Sequence, residues 1–280
     1  MEDQAHQMTI PAGLVPKVWA SKVWHEGLKD SYFDKFTAID GTNVVHKNTD
    51  LKNVKGDRVV FGLMMQLTGN GVIGNRETLA GKEEQLAIYD FEVQTALVRN
   101  AVSRYEADDQ KSPYDNLKEI KAALKQWLAD WFDNTLISKL SASPTTGEMI
   151  SAASAGTQAA ITANDKLTTA IISRAKRKAM MHGPKVAPIK VDGMDKYIML
   201  VSPWAAKDLK DDAKWLAAQQ NANVRGDKNP IFTGALGEYD GVILYEYERV
   251  LNDATGASSA NVCHNLLLGC QAACFAVARP

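Results

Sequence analysis

Two strand-like segments flanking a span that cannot hold itself together place the strongest constraint on this chain. From Gly56 onward the apolar residues recur with period two. Arg58 to Leu67 (RVVFGLMMQL) is strand-like, and between Ala87 and Leu97 the residues Tyr89, Phe91, Val93 and Leu97 are apolar while Asp90, Glu92 and Gln94 are polar. Between the two strands, Thr68 to Gln85 is glycine-rich and polar. The simplest geometry is a long hairpin whose tip projects from the body. A lone two-stranded hairpin is marginal in water, so the tip requires some other surface to hold it.

The segments around this hairpin have distinct characters. The first fifty residues read as an arm, with Val15, Val18, Trp19, Val23, Leu28, Tyr32 and Phe36 at helical spacing, interrupted by Pro16 and Gly27. A single helix cannot bury such a stripe alone, so it must lie on the body of this chain or on a neighbour. Ser112-Pro113 supplies an N-cap and a first-turn proline for the clearest helix. That helix carries Leu117, Ile120, Leu124, Trp127, Leu128, Trp131 and Thr135 on one stripe and runs to about Leu140. Ser141 to Ala163 is built mainly of Ser, Ala, Thr and Gly and reads as a flexible connection.

The second half alternates element types, which argues for an α+β domain. Thr162 and Asp165 resemble a capping box opening a helix that ends at Gly183-Pro184. Asp192-Gly193 joins strands Val186–Val191 and Tyr197–Val201, Ser202-Pro203 opens another helix, and Asp240-Gly241 precedes a strand from Val242 to Val250.

Composition narrows the function. Of 280 residues 45 % are apolar, enough to bury a substantial core. Lys+Arg is 32 against Asp+Glu 33, a net charge of −1, which argues against a protein whose main task is gripping phosphates. No apolar run reaches bilayer-spanning length, Leu266 to Ala278 being broken by Gly269, Cys270 and Gln271, so no membrane partner is expected. Met1 to Gln7 has no pattern of a cleaved secretion signal. Cys263, Cys270 and Cys274 read as reduced, interior thiols in a cytoplasmic compartment.

No motif demands catalysis. Gly69, Gly71 and Gly74 satisfy G-x-G-x-x-G after a strand, with Asp90 downstream, the pattern of a dinucleotide-binding enzyme. That fingerprint needs a helix N-terminus facing the pyrophosphate, and a strand follows instead, so a loop tip is the better reading. Arg225-Gly226-Asp227 is a receptor-binding tripeptide without context. Arg174 to Lys178 reads as cations at a helix C-terminus. Cys263-His264 with Cys270 and Cys274 matches no common zinc module. The histidines are scattered, and no nucleophile, Walker or paired-carboxylate pattern occurs. No enzyme, metal or cofactor is expected.

The order of parts, together with specific residues, resembles the major capsid proteins of tailed bacteriophages, in the family typified by the coliphage N-four head protein. Asp50-Leu51-Lys52 and Lys55-Gly56-Asp57 with Val59 and Phe61 resemble that family's entry into its extended loop, and Gly69, Gly71, Gly74, Leu79, Gly81, Glu83 and Glu84 resemble the loop itself. Arg99-Asn100-Ala101-Val102 is similar to the return strand, with Asn100 where the family carries His, and Leu124 and Trp127 fall on the long helix. The longest matches are Pro188 to Gly193, then Pro203, Asp208-Leu209, Trp215 and Gln219, and above all Asn229-Pro230-Ile231-Phe232-Thr233-Gly234-Ala235-Leu236-Gly237 with Tyr239 and Gly241. Members of the family usually continue beyond the stretch that matches Leu266 to Arg279.

The resemblance implies the α+β Hong Kong-type capsid fold: an arm over residues 1–55, the extended hairpin loop and its strands over 56–98, a peripheral domain with a long spine helix over 99–163, and an axial domain returning to the peripheral one over 164–280. It implies an icosahedral shell of pentamers and hexamers around double-stranded DNA, held without sequence-specific contacts. Portal protein and scaffolding or decoration proteins are the implied partners, and the virion, made in the bacterial cytoplasm, is the implied location. A bacterial nanocompartment shell of the same fold is the alternative.

Overall fold

The computed structural model describes residues 31–52, 56–65, 67, 69, 71–74, 78, 80–103, 116–142, 148–153, 156–183, 185–221 and 236–278. The helical stripe before residue 31, the Ser112-Pro113 cap, Arg225-Gly226-Asp227 and the run from Asn229 to Ala235 lie outside the described residues.

Ser31 caps a 3-10 turn, Tyr32–Phe36. Phe33 and Phe36 are buried, so this part of the expected arm belongs to the core of its own subunit. Short strands β1 (Thr37–Ala38) and β2 (Val45–Asn48) follow, then the ribbon strands β3 (Arg58–Met64) and β4 (Ile88–Gln94). The long helix α1 spans Asn116–Leu140, 25 residues or about 37 Å. Its C-terminal half presents Leu128, Ala129, Phe132, Leu136 and Ile137 to the core, while the expected stripe residues Leu117, Ile120, Leu124, Trp127 and Trp131 are half-buried.

Helix α2 (Thr169–Met181) differs from the expectation at its start. Thr162 and Asp165 do bond each other, but they close a separate turn: the Thr162 N–H and hydroxyl both donate to Asp165 Oδ2 at 2.8 Å. The first turn of α2 is instead capped from across the fold, where Asp212 Oδ2 accepts from both the N–H and the hydroxyl of Thr169 at 2.9 Å. The Ser141–Ala163 connection is also fastened where it is described. Arg174 donates to the Ser151 carbonyl, Lys178 Nζ to the Met149 carbonyl at 2.9 Å, and the Ala257 N–H to the Ile161 carbonyl at 2.8 Å. Arg174 and Lys178 therefore act as staples for this segment, beyond any favourable interaction with the helix dipole.

Strands β5 (Ile189–Val191) and β6 (Met194–Val201) form the expected hairpin. Asp192 and Gly193 both have positive φ, 53° and 77°, the conformation that a two-residue turn of this hand requires. Helix α3 (Pro203–Lys210) begins as the sequence dictates, with Ser202 Oγ accepting from the Ala205 N–H and Pro203 in the first turn. Helix α4 (Ala213–Asn221), β7 (Gly237–Tyr239) and β8 (Val242–Glu246) come next, then β9 (Asn252–Asp253), β10 (Val262–Cys263), β11 (Leu266–Leu268) and β12 (Ala273–Ala276). The strand expected to reach Val250 thus stops at Glu246.

β6 organises the body. It pairs parallel with β8 and antiparallel with β11 and β5, while β7 closes the edge beside β8. The parallel β6–β8 pair needs a crossover, which α3 and α4 supply. One face of β6, Ile198 and Leu200, joins a core with Phe33, Phe36, Val45, Phe132 and Leu136. The opposite face, Tyr197, Met199 and Val201, joins a second core with Ile172, Leu209, Trp215 and Leu244. β2 lies between β1 and β12 in a parallel three-stranded sheet, so the two ends of the described chain close one layer against α1.

Candidate assembly surface

The β3–β4 ribbon is built with an uninterrupted antiparallel register, from Arg58 opposite Gln94 to Met64 opposite Ile88. The ladder continues at both ends, where the Thr95 N–H donates to Asp57 O at 2.8 Å and the Met65 N–H to Ala87 O at 3.0 Å. Facing residues share a side, so the odd-numbered face carries Val59, Phe61, Tyr89, Phe91 and Val93. Near the body this face is half-covered, with the Phe61 ring 5.8 Å from the His46 ring on β2. Beside and beyond Phe61 it is bare: Phe91, directly opposite it, is 62 % and Tyr89 60 % exposed. The even-numbered face carries an Arg58–Glu92 ion pair at 2.6 Å and Gln94 near the body, Asp90 directly opposite Gly62, and the apolar Val60, Met64 and Ile88. Val60 is 61 %, Met64 64 % and Ile88 64 % exposed. Leu67, Ile73, Leu86 and Leu97 extend the bare apolar surface. So many exposed large apolar side chains on one projecting element mark an interaction site.

The loop residues singled out from sequence sit beyond this ribbon. Gly71 and Gly74 have φ of +64° and +120°, backbone states that side chains disfavour. The Gly69 N–H donates to Glu84 Oε2 at 2.7 Å, and a Cβ there would come within 2.6 Å of that oxygen. The Gly81 N–H donates to Glu83 Oε2 at 2.8 Å. Glu83 and Glu84 therefore serve as local ties that shape the loop, and Leu79 lies outside the described residues. After Gly74 the next regular element among the described residues is β4, a strand.

Of the second group, Asn229, Pro230, Phe232 and Gly234 lie outside the described residues, and Gly237 is placed at the start of β7. It has φ +155°, and a Cβ on it would meet Gln219 Nε2 at 2.7 Å and Trp215 Cη2 at 3.0 Å. Its role is to let β7 pass beneath the buried indole.

Two polar clusters join distant segments. Asp133, buried on α1, accepts from the Ser31 hydroxyl and from the Tyr32 N–H at 3.0 Å. Tyr32 stacks on Tyr247 with centroids 4.2 Å apart, and burial pushes both phenols above their ordinary value. His264 Nε2 lies 3.1 Å from Asp253 Oδ1 and 3.3 Å from Gln158 Nε2. The Thr255 hydroxyl also bonds Asp253 and holds its carboxyl below the usual range. The three cysteines, expected in the interior, are half-buried: Cys263 packs beside the second core and Cys270 beside the first. The Cys270 thiol donates to Gly41 O at 3.2 Å, and burial raises the Cys270 and Cys274 thiols. Among the described residues no group of three or more His, Cys, Asp or Glu is placed to hold a metal ion.

Sequence reasoning located the ribbon but missed the exposure of both its faces and the Asp133 tie. A signal for the former was present: Ile88 breaks the polar set of the even positions, and Val60 and Met64 lie among the even residues of β3.

Comparison with known proteins agrees with this architecture. The chain is 26 % identical over 302 residues to the major capsid protein of Pseudomonas phage KPP25, across 92 % of this chain and 80 % of that protein. The capsid of Ralstonia phage GP4 matches with TM-score 0.74 and 27 % identity, over 89 % of this chain and 78 % of that one. The cyanophage Pam1 capsid asymmetric unit matches with TM-score 0.68 and 22 % identity, over 80 % and 70 %. The fold is the Hong Kong-type capsid fold that the resemblance implied. The phage capsid protein family model matches residues 12–150 and 141–279, so the chain belongs to the phage capsid protein family.

Proposed function

We propose that this chain is the major capsid protein of a tailed bacteriophage of the N-four-like group, assembling into pentamers and hexamers of an icosahedral shell around double-stranded DNA. The observation that carries this reading is the β3–β4 ribbon, whose Val60, Met64, Ile88, Tyr89 and Phe91 are bare on a chain otherwise able to build two cores. Laid across an adjacent copy, it gains the surface it lacks. Residues 1–55 act as the arm, rooted in the core of its own subunit through Phe33, Phe36, Val44 and Val45, 56–98 as the extended loop, 99–163 as the peripheral domain with α1 as its spine, and 164–280 as the axial domain and return. The core around Ile172, Trp215 and Leu244 supports the axial assignment.

A net charge of −1 suits a container into which DNA is driven by other machinery. Portal protein, with scaffolding or decoration proteins, completes the particle, and the subunit is made in the host cytoplasm before entering the virion. Sedimentation and negative-stain imaging of the purified protein test the reading. Closed shells are expected, far larger than the 30.6 kDa subunit. A compact monomer at every concentration and salt contradicts it.

A further inference from the structure

Helix α2 carries four cations, Arg174, Lys176, Arg177 and Lys178, and no acid. The helix dipole accounts for one of them. Its pull fades within the last turn, which holds Lys178, whereas Arg174 and Arg177 sit earlier. Residues three and four apart share a helix face, so Arg174, Arg177 and Lys178 stand together, away from the buried Ile172, Ala175 and Ala179. Their charge is not cancelled nearby. The one carboxylate at this face, Asp240, is taken by Lys176, with Oδ1 3.0 Å from Nζ, and this bond, with a further one from Ser173, holds it below the usual carboxyl range. Arg174 and Lys178 donate to the Ser151 and Met149 carbonyls, which are neutral, so each keeps a whole charge. Arg177 is exposed and makes no hydrogen bond or ion pair among the described residues. Ala170, Ile171, Ser173, Arg174, Arg177 and Asp240 line a groove of about 570 Å³ along this face.

We propose that this face of α2 binds the phosphodiester backbone of double-stranded DNA, without reading its sequence, and so belongs to the inner wall of the shell. The inference rests on the shell-forming reading and deepens it by naming where the enclosed DNA touches the subunit. Charge complementarity selects the occupant. Duplex DNA carries one negative charge per ~1.7 Å of its axis. The acids of this chain never stand more than two in a row, so a segment of a neighbouring copy is the poorer match. Arginine adds geometry to charge, because its planar fork donates to two phosphate oxygens at once. Three uncancelled cations make a weak, salt-sensitive contact, which suits DNA that other machinery drives in and agrees with a net charge of −1 for the whole chain.

Anisotropy of a short labelled duplex titrated with unassembled subunit is the test. Binding should be weak and indifferent to sequence, and should fall with salt at a log–log slope of about −2 to −3, or ~0.9 for each phosphate neutralised. Arg177→Gln, at an exposed position, should melt at the parent temperature, weaken binding several-fold and flatten the slope by about 0.9. Lys47→Gln, on β2 in the other layer, should change neither. A parent subunit that binds no duplex at low salt, or an Arg177→Gln subunit with the parent's affinity and slope, overturns the site. Polyglutamate that binds more tightly than duplex of equal charge also overturns it, and assigns the face to an acidic protein segment. Acylation of Lys178 reads the assembled state: its reactivity should be several-fold lower in DNA-filled than in empty particles, and equal reactivity overturns the inward placement. Closed shells without this DNA contact remove the site and leave the shell reading standing. A chain that forms no shells, yet loses duplex binding through Arg177→Gln, keeps the phosphate site and overturns the shell reading.

Discussion

β6 and the β3–β4 ribbon are both strands rich in apolar side chains, and they meet opposite fates. From Tyr197 to Val201 every side chain of β6 is buried, because cores built by α1 on one face and by α2, α3 and α4 on the other cover it within the subunit. On the ribbon, Val60, Met64, Ile88, Tyr89 and Phe91 are bare on both faces. An apolar strand therefore states that it will be covered without stating by which chain. On the proposed shell reading, the second kind of strand is a core held in reserve, completed by another copy.

The largest contrast is expected from paired substitutions. Leu200→Ala, at a fully buried position, should lower subunit stability by about 2–5 kcal/mol in denaturant titration. Phe91→Ser should leave that stability within about 0.5 kcal/mol, as exposed substitutions do, while abolishing particles in the same preparation. A Phe91→Ser subunit destabilised as much as Leu200→Ala would erase the distinction between the two regions.

Ionic ties sharpen the same comparison at smaller scale. Asp133→Ala leaves the Ser31 hydroxyl and the Tyr32 N–H without their acceptor in the core, and should cost about 1–3 kcal/mol. Arg58→Ala removes an exposed ribbon pair and should cost no more than about 1 kcal/mol. Thermal melts of the two subunits measure the difference.

Ser202→Ala removes the cap of α3, the helix that crosses from β6 to β8, and should cost about 1 kcal/mol without altering ribbon exposure to labelling.

The smallest effect is a pH slope. Bonds from the Thr169 backbone, then its hydroxyl and the Lys214 backbone, hold the Asp212 carboxyl below its ordinary value. The stability it contributes is present above the unfolded carboxylate pKa and is lost as pH falls through the lower, folded value. Asp212→Asn should be slightly less stable than the parent at neutral pH and should show a flatter decline in acid, read from melts across that range.

Local chemistry was legible in the sequence wherever it acts within a few residues. Asp192-Gly193 and Asp240-Gly241 adopt the positive φ of two-residue hairpin turns, Ser202-Pro203 opens α3, and α1 ends at Leu140 as its periodicity indicates. The misses share one cause, which is that the partner lies far along the chain. Asp165 had the right spacing to cap α2, yet Asp212 does so from 43 residues away. Ser141 to Ala163 has a linker's composition, yet Arg174, Lys178 and the 255–264 loop fasten its described part. Parallel pairing of β2 with β12 has no local signature at all. For the candidate surface, glycine spacing located the loop, whereas the exposure of the even face depends on there being no covering element among the described residues, which periodicity does not encode.

Amide hydrogen exchange in unassembled subunits and in assembled shells tests the central claim most directly, because it reads β6 and the ribbon in one experiment. The amides of Tyr197 to Val201 should be strongly protected in both states. Those of Val59 to Met64 and Ile88 to Gln94 should exchange fast in the unassembled subunit and become protected by orders of magnitude in the shell. Ribbon amides already as protected as β6 before assembly, or unchanged after it, would contradict the account.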